Sequence, residues 1–105
     1  MPTFLVISRH SPENCAMFNE KARKVTLEFL SKLDGLLKKH GAKLLGAWNV
    51  SSEHLSLMVI EAPNLAAFEK LGMEPELLAL SAYETYEIKM AAGIEEATKM
   101  LRQAK

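Results

Sequence analysis

The sequence predicts an α+β fold in the order strand, helix, strand, strand, helix, strand, with one further helix at the end. A short apolar run opens the chain, a long amphipathic segment follows it, and two apolar runs are joined by a polar connection. A length of 105 residues with 49% hydrophobic residues is sufficient for one hydrophobic core and too short for two. We therefore expect a single domain over residues 1–105.

The first strand and first helix are predicted from the opening third of the chain. Thr3–Arg9 is an apolar, β-branched run that ends in a polar turn. Ser11 is a plausible N-cap, and Pro12 suits the first helical position, where its missing N–H has no partner to lose. The helix is predicted to end at His40, which reads as a C-terminal cap. Its apolar face consists of Phe18, Ala22, Val25, Phe29, Leu30, Leu33, Leu36 and Leu37.

The remaining elements follow the same reasoning. Polar residues Ser51–His54 separate two apolar runs, as in a hairpin, and the alternating pattern of Tyr83–Met90 is typical of an edge strand. Asn64 is a plausible N-cap for the second helical region. The predicted elements are the strands Lys43–Val50 and Leu55–Ala62, the helices Leu65–Leu71 and Pro75–Leu80, the strand Tyr83–Met90 and the helix Gly93–Ala104.

This order of elements is the ferredoxin-like βαββαβ sandwich with an extra C-terminal helix, in which the spatial strand order is 4-1-3-2. The first and third strands are then central, and both are apolar on alternate positions of both faces. Helices can cover only one face of such a sheet. We therefore expect a homodimer or higher homo-oligomer in which two sheets pack face to face as a dimeric α+β barrel.

Charge and composition exclude several classes of partner. The 13 basic residues balance the 13 acidic ones, which leaves no electrostatic basis for nucleic-acid binding. No apolar run is long enough to span a membrane, and the N-terminus lacks the basic region of a signal peptide, so we expect a cytoplasmic protein. The single cysteine cannot form an intramolecular disulfide.

The strand arrangement predicts a site built on two histidines. The first strand ends where its antiparallel neighbour, the third strand, begins, so His10 and His54 should lie together. Counting by twos places Ser8 on the face of His10 and Ser56 on the face of His54. If these faces coincide, the four residues form a polar patch at the edge of an apolar surface, as in small-ligand sites.

The same end of the sheet receives Glu13 and Cys15. Two imidazoles, a thiolate and a carboxylate are suitable ligands for zinc, copper or iron, although no motif with metal-ligand spacing is present. Two histidines that bind a ligand or carry protons without metal form an equal alternative, and a structural role, in which each imidazole caps a turn or lies in solvent, is the third. Cys15 is expected near a helix start, where the dipole would favour a thiolate, or as a small buried hydrophobic residue. Glu13 also suits a simple helix-start charge.

Three further residues are candidates for contact with a small-molecule ligand at this end: Trp48, Tyr83 and Glu84. Trp48 could instead pack in the core or the dimer interface.

The chain resembles the dimeric α+β barrel superfamily, and within it the small ferredoxin-like proteins related to the GYD-domain group. The matching stretches are the residues 1–6, 43–48 and 57–64. The superfamily includes cofactor-free monooxygenases, haem-binding and haem-degrading proteins, isomerases and decarboxylating enzymes. The resemblance therefore implies a dimer with a pocket and leaves the reaction open.

Three functional hypotheses follow from the sequence. The first is a dimeric protein with a ligand or transition-metal site on His10 and His54, with oxidoreductase-like chemistry as one use of it. The second is a non-enzymatic sensor or assembly module that uses the sheet face for oligomerisation. The third is a haem-binding protein.

Overall fold

The computed structural model describes residues 1–105 and contains four strands and four helices. Short 3₁₀ turns precede α1 and β3, at Pro12–Asn14 and Ser51–Glu53. The order confirms the predicted α+β plan, with α2 and α3 together in the place of the second helix. The elements are β1 (Thr3–Arg9), α1 (Glu20–Lys39), β2 (Lys43–Val50), β3 (Leu55–Glu61), α2 (Leu65–Gly72), α3 (Pro75–Leu80), β4 (Thr85–Ala91) and α4 (Ile94–Gln103).

The four strands form one antiparallel sheet in the order β2-β3-β1-β4, which confirms the predicted 4-1-3-2 arrangement. In β1, Val6 pairs with Met58 and Ser8 pairs with Ser56. The two sets of residues predicted to share a face therefore do share it. This register sets the positions of the side chains at both ends of β1.

The hydrophobic core lies between α1, α2 and one face of the sheet, towards the beginning of β1. Phe4 is 1% exposed and stacks on Phe68 of α2, with ring centroids 4.2 Å apart. Ile60 of β3 and two leucines of α1, Leu36 and Leu37, complete this packing. We call this region the core end of the sheet. Its apolar side chains hold both helices on the same sheet face.

The opposite sheet face has no buried residue. This is expected, because the helices form a single layer and cover only the other face. It carries alternate apolar residues of the central strands, including Ile7 and Leu57, and Trp48 of β2. Trp48 is 59% exposed. We call this surface the open sheet face.

The start of the first helix differs from the prediction. Pro12 begins only a 3₁₀ turn, and α1 begins at Glu20 after the N-cap Asn19, whose side-chain oxygen accepts a backbone N–H of the first turn. The amide of Asn19 also donates to the carbonyl of Glu13 at 3.0 Å, which fixes the intervening segment. Phe18 therefore precedes the helix and is 81% exposed, instead of packing on its apolar face.

The last strand also starts later than predicted, because a turn after α3 continues to Tyr83, whose N–H donates to the carbonyl of Leu80 at 3.0 Å. Tyr83 and Glu84 therefore lie in the connection before β4. The final helix α4 is present as predicted, but it has no buried residue. Among the four helices, none combines the length and apolar character that membrane crossing demands.

Candidate metal centre

The antiparallel pairing of β1 with β3 brings His10 and His54 together, as the sequence predicts. The pairing continues one residue beyond Arg9 and Leu55, because the N–H of His10 donates to the carbonyl of His54 at 3.1 Å. The two imidazoles meet edge to face, with ring centroids 5.2 Å apart and an angle of 81° between the rings. Residues 44 positions apart in the chain thus form one side-chain pair.

The distance between the facing ring nitrogens suits metal coordination. Nε2 of His10 and Nδ1 of His54 are 3.3 Å apart. Two histidine nitrogens bound to one tetrahedral zinc ion would be about 3.4 Å apart, given Zn–N bonds of about 2.0–2.1 Å. In the metal-free protein the same two nitrogens can share one hydrogen bond, in which one ring nitrogen carries the proton and the other accepts it.

Cys15 completes a three-residue cluster with this pair. The ligand atoms of His10, Cys15 and His54 all lie within 4.8 Å of one another. The 3₁₀ turn places the thiol, since the N–H of Cys15 donates to the carbonyl of Pro12 at 3.2 Å. Cys15 is 8% exposed and has extended backbone angles, so it belongs to no helix. The expected helix dipole at Cys15 is therefore absent, and its neighbours are two imidazoles.

The backbone of His54 adopts an unusual conformation. Its φ of 51° and ψ of 44° place it in the left-handed region, and no other non-glycine residue of the chain has a positive φ. This conformation costs an L-residue roughly 1 kcal/mol or more, and glycine or asparagine adopts it more readily. Such strain concentrates at functional positions. The imidazole of His54 is thus held next to His10 by a backbone conformation that costs free energy.

The electrostatics at the pair favour a neutral imidazole at His10. Burial lowers the pKa of His10, and the neighbouring His54 lowers it further. No carboxylate forms a salt bridge with either ring. Neutral imidazole is the form that binds metal ions, so proton competition at His10 is reduced.

A polar row crosses the sheet directly beneath the histidines. Ser8 is 8% exposed, and its hydroxyl is 2.5 Å from that of Ser56. The register continues this row to Asn49 on β2 and Tyr86 on β4. The hydroxyl of Tyr86 is buried without a hydrogen-bond partner. The sequence identified the two serines, while Tyr86 was missed although its position could have been counted from Tyr83 and Glu84.

A groove of about 410 Å³ adjoins His10. Its lining residues are Arg9, His10, Ser11, Asn14, Ser81, Ala82, Tyr83, Glu84 and Thr85. The predicted ligand contacts Tyr83 and Glu84 therefore do lie in one concave surface with a histidine of the pair. Sequence reasoning missed Ser81, which carries no pattern beyond its polarity. Burial raises the pKa of Glu84, an effect that the hydroxyl of Tyr86 partly offsets.

Two predicted site residues lie apart from this cluster. Glu13 is exposed and does not join the three-residue group; a hydrogen bond with Ser11 lowers the pKa of its carboxyl. Trp48 lies on the open sheet face, because its register partner Leu57 is out of phase with Ser56. Its ring folds over Gly46, where any Cβ would overlap it. Trp48 is thus on the opposite side of the sheet from the histidine pair.

The third histidine has a different environment. His40 caps the C-terminus of α1, as predicted, and its Nε2 is 2.8 Å from a carboxylate oxygen of Glu74. Lys39 contacts the same oxygen at 2.7 Å. The Lys39 and His40 hydrogen bonds lower the pKa of Glu74. His40 is therefore part of a polar network, with the Lys39–Glu74 ion pair, that ties α1 to the residue preceding α3.

Comparisons with known proteins identify the fold. No family model matches the chain, and no curated protein matches it in sequence. The structure is similar to that of a NIPSNAP domain protein from Burkholderia xenovorans, with a TM-score of 0.54 and 14% identity over 89% of this chain and 96% of that one. It is also similar to an antibiotic biosynthesis monooxygenase, with a TM-score of 0.56 and 11% identity over 89% of this chain and 98% of that one.

At these identities the likeness concerns the fold alone. Both neighbours share the ferredoxin-like α+β fold, which confirms the fold predicted from the sequence. The resemblance to the dimeric α+β barrel superfamily, and within it to the GYD-domain group, stays a prediction. The chain is therefore a protein of ferredoxin-like α+β fold with a His, Cys, His cluster at one end of its sheet.

Proposed function

We propose that the protein binds one transition-metal ion through Nε2 of His10, Nδ1 of His54 and Sγ of Cys15. The observation that carries this proposal is the approach of the three ligand atoms to within 4.8 Å of one another. For a tetrahedral zinc ion the nitrogen-to-sulfur distances would be about 3.6 Å, so small side-chain rotations suffice to close the site.

The donor set favours zinc or copper. Two imidazoles and one thiolate are borderline and soft ligands, which suit these metals better than magnesium or calcium, and they also accept iron. A cytoplasmic location, as expected from the sequence, would keep the single thiol of Cys15 reduced and able to bind.

Three protein ligands leave one coordination position free, which distinguishes catalytic zinc sites from closed structural ones. The groove beside His10 supports a small-molecule ligand at this position, with Tyr83 and Glu84 in contact with it. The hydrogen-bonded Ser8 and Ser56 would hold the two histidine-bearing strands in register beneath the ion. The monooxygenase neighbour makes an oxidoreductase a reasonable use of such a centre.

Metal binding can be tested with untagged protein by elemental analysis and by competition titrations with Zn²⁺. We expect one metal ion per chain, and a loss of affinity of at least about 100-fold in His10→Ala, His54→Ala and Cys15→Ser, since even outer-shell changes cost 10–100-fold. His40→Gln and Glu13→Gln are the matched controls and should retain wild-type affinity. Equal affinity in the wild type and in Cys15→Ser would contradict the three-ligand centre.

The same samples separate the alternative hypotheses. Stoichiometric metal without any turnover would indicate a sensor rather than an enzyme. A haem-binding protein would show a shifted visible absorption band after haem addition, and that band would depend on His10.

We further propose that the open sheet face forms a homodimer interface. This face is a continuous apolar surface, and none of its residues is buried within one chain. The surface consists of Leu5, Ile7, Leu57, Val59 and Trp48. Contiguous apolar surfaces of this kind mark interaction sites. The interface would leave the metal centre free, because that centre lies on the helix-covered face.

Dimerisation can be measured by sedimentation or light scattering. Leu57→Lys places a charge on a central strand of the interface and should yield a monomer. Leu27→Lys is the control, since Leu27 is 60% exposed on α1. A monomeric wild-type protein would exclude the proposed interface.

A further inference from the structure

The last helix, α4, has an apolar side that no part of its own chain covers. Ile94, Ala97 and Leu101 recur at spacings of three and four, so they lie on one side of the helix. Ile94 is 81% exposed and Leu101 is 75% exposed. No other element packs substantially against α4. A helix of ten residues has little stability alone in water, so this side requires a covering surface.

The whole chain exposes more surface than a compact monomer of its mass. Its accessible area is 7367 Å², whereas about 5,900 Å² is typical of a folded monomer of 11.7 kDa. Its radius of gyration is 15.4 Å, whereas about 13 Å is typical of 105 residues. The excess of roughly 1,500 Å² is larger than the area of about 800 Å² that each partner contributes to a standard interface. A second copy of this chain is thus large enough to cover both the open sheet face and α4.

An apolar groove without an occupant lies at the edge of the sheet that β2 forms. It has a volume of about 360 Å³ between α1 and the start of β2, and we call it the α1–β2 groove. Its apolar lining residues are Leu30, Leu33, Leu37, Ala42 and Leu44. Of its charged residues, Asp34 and Lys38 pair with each other, whereas Lys43 has no salt bridge. Glu96, one helical turn before Met100, has none either, so the groove and α4 have complementary free charges.

The α4 helix cannot begin at the α1–β2 groove of its own chain. The end of β4 and the start of β2 lie at the core end of the sheet, but at its two opposite edges. One row of register partners joins them, consisting of Ala91, Thr3, Glu61 and Lys43. Three strand spacings make this distance about 14 Å, whereas the connection from Ala91 to Ile94 reaches at most about 11 Å. The helices α1 and α2 also occupy the sheet face between the two edges.

A face-to-face dimer brings the groove of one protomer close to α4 of its partner. Sheets packed in this way keep their strands nearly aligned and lie about 10 Å apart. A two-fold axis parallel to the strands places β4 of each protomer over β2 of its partner and keeps both core ends together. The connection before α4 is long enough to cross the distance between the sheets. The helix α4 then reaches the partner's α1–β2 groove around the edge formed by β2.

We propose that α4 is an arm exchanged between two copies of this chain, with its apolar side in the partner's α1–β2 groove and Glu96 beside the partner's Lys43. This inference rests on the proposed homodimer of the open sheet face. It adds a second contact region to that dimer, and it accounts for an amphipathic helix that packs on nothing in its own chain.

Disulfide cross-linking tests which chain α4 contacts. Ala97→Cys on α4 and Leu30→Cys in the groove are combined with Cys15→Ser, so that only the two introduced thiols can react. We expect mild oxidation to yield a covalent dimer on a denaturing gel, because each thiol on α4 meets the groove thiol of the other protomer. The matched control combines Ala97→Cys with Ser51→Cys, at the opposite end of the sheet, and should stay monomeric on the gel. Each introduced cysteine alone should also stay monomeric.

The outcomes separate the exchanged arm from the sheet interface. An internal disulfide in a chain of monomer mass would overturn the exchange of α4. The absence of any disulfide, in a protein that sedimentation shows to be dimeric, would do the same and leave the sheet interface intact. A wild-type protein that sediments as a monomer would overturn both proposals.

A charge on the apolar side of α4 provides an independent measurement. Leu101→Lys should raise the dimer dissociation constant at least about 100-fold, because one leucine in each protomer loses its burial in the dimer. Gln103→Lys, on the polar side of α4, is the control and should stay within about twofold of the wild type. Zinc affinity should be unchanged in both variants, since α4 contributes no residue to the core or to the metal cluster. An unchanged dissociation constant in Leu101→Lys would contradict the exchanged arm.

Discussion

The two ends of the sheet each place a histidine in a polar contact, but the partners differ. At the core end, His40 contacts the carboxylate of Glu74, which Lys39 also neutralises, so every charge has a partner. At the other end, His10 contacts His54, with a thiol nearby and no carboxylate bound to either ring. The first arrangement joins two elements of the fold, whereas the second leaves nitrogen and sulfur lone pairs available.

This difference separates stability from function along one strand. Within six residues, β1 and its extension change from Phe4, which is 1% exposed in the core, to the polar pair of Ser8 and His10. Packing holds one end of the strand, so the other end can carry strain and unpaired ligand groups. Substitutions at the core end should therefore mainly change the free energy of unfolding, and substitutions at the histidine end should mainly change zinc affinity.

The largest effect on stability is expected at the core end. Phe4→Ala removes a buried ring that stacks on Phe68, and it should lower the free energy of unfolding by about 3–5 kcal/mol. Chemical denaturation measures this change. Zinc affinity of the folded fraction should stay close to that of the wild type. A large loss of zinc affinity in this fraction would show that the two ends are coupled.

At the histidine end we expect a smaller change, an increase in the free energy of unfolding. His54→Gly replaces a residue in the left-handed region with one that adopts it freely, so the metal-free protein should become more stable by roughly 1 kcal/mol. The same variant should lose zinc binding. The control is Gly41→Ala, which introduces a side chain at φ 66° and should destabilise the protein. Unchanged or reduced stability of His54→Gly would show that the imidazole contacts outweigh the backbone strain.

The smallest expected change in stability is that caused by removing the ion pair at the core end. Hydrogen bonds from Lys39 and His40 lower the pKa of Glu74 below its ordinary value of 4.5, so the unfolded chain binds more protons in this range. The stabilisation is present above pH 4.5 and is lost as the pH falls through the lower folded-state pKa. Glu74→Gln should therefore be less stable than the wild type at neutral pH, and the difference should shrink in acid.

Thermal unfolding at several pH values measures this dependence. Glu95→Gln, on the exposed first turn of α4, is the control and should leave the pH profile unchanged. A difference between Glu74→Gln and the wild type that stays constant from neutral pH into acid would contradict the ion-pair account.

The element order and the histidine pair were predictable because they depend on local periodicity. Alternation along Thr3–Arg9 and Leu55–Glu61 assigns each side chain to a face, and antiparallel pairing then brings His10 to His54. The start of α1 was predicted wrongly because Ser11 and Pro12 are as suitable for a 3₁₀ turn as for a helix. Only the hydrogen bonds of Asn19 decide between them.

The spacing of apolar residues was sufficient to assign the α+β class and the order of elements. The ferredoxin-like plan then gave the strand order, and antiparallel pairing of the central strands gave the pair of histidines at one end. The tertiary structure was needed to sort the predicted candidates: Cys15 lies with the two histidines whereas Glu13 does not, and Trp48 lies on the other face of the sheet. It also added Ser81 to the groove that His10 forms with the predicted contacts Tyr83 and Glu84. These placements depend on turn conformations and on the register of distant strands, which no local pattern encodes.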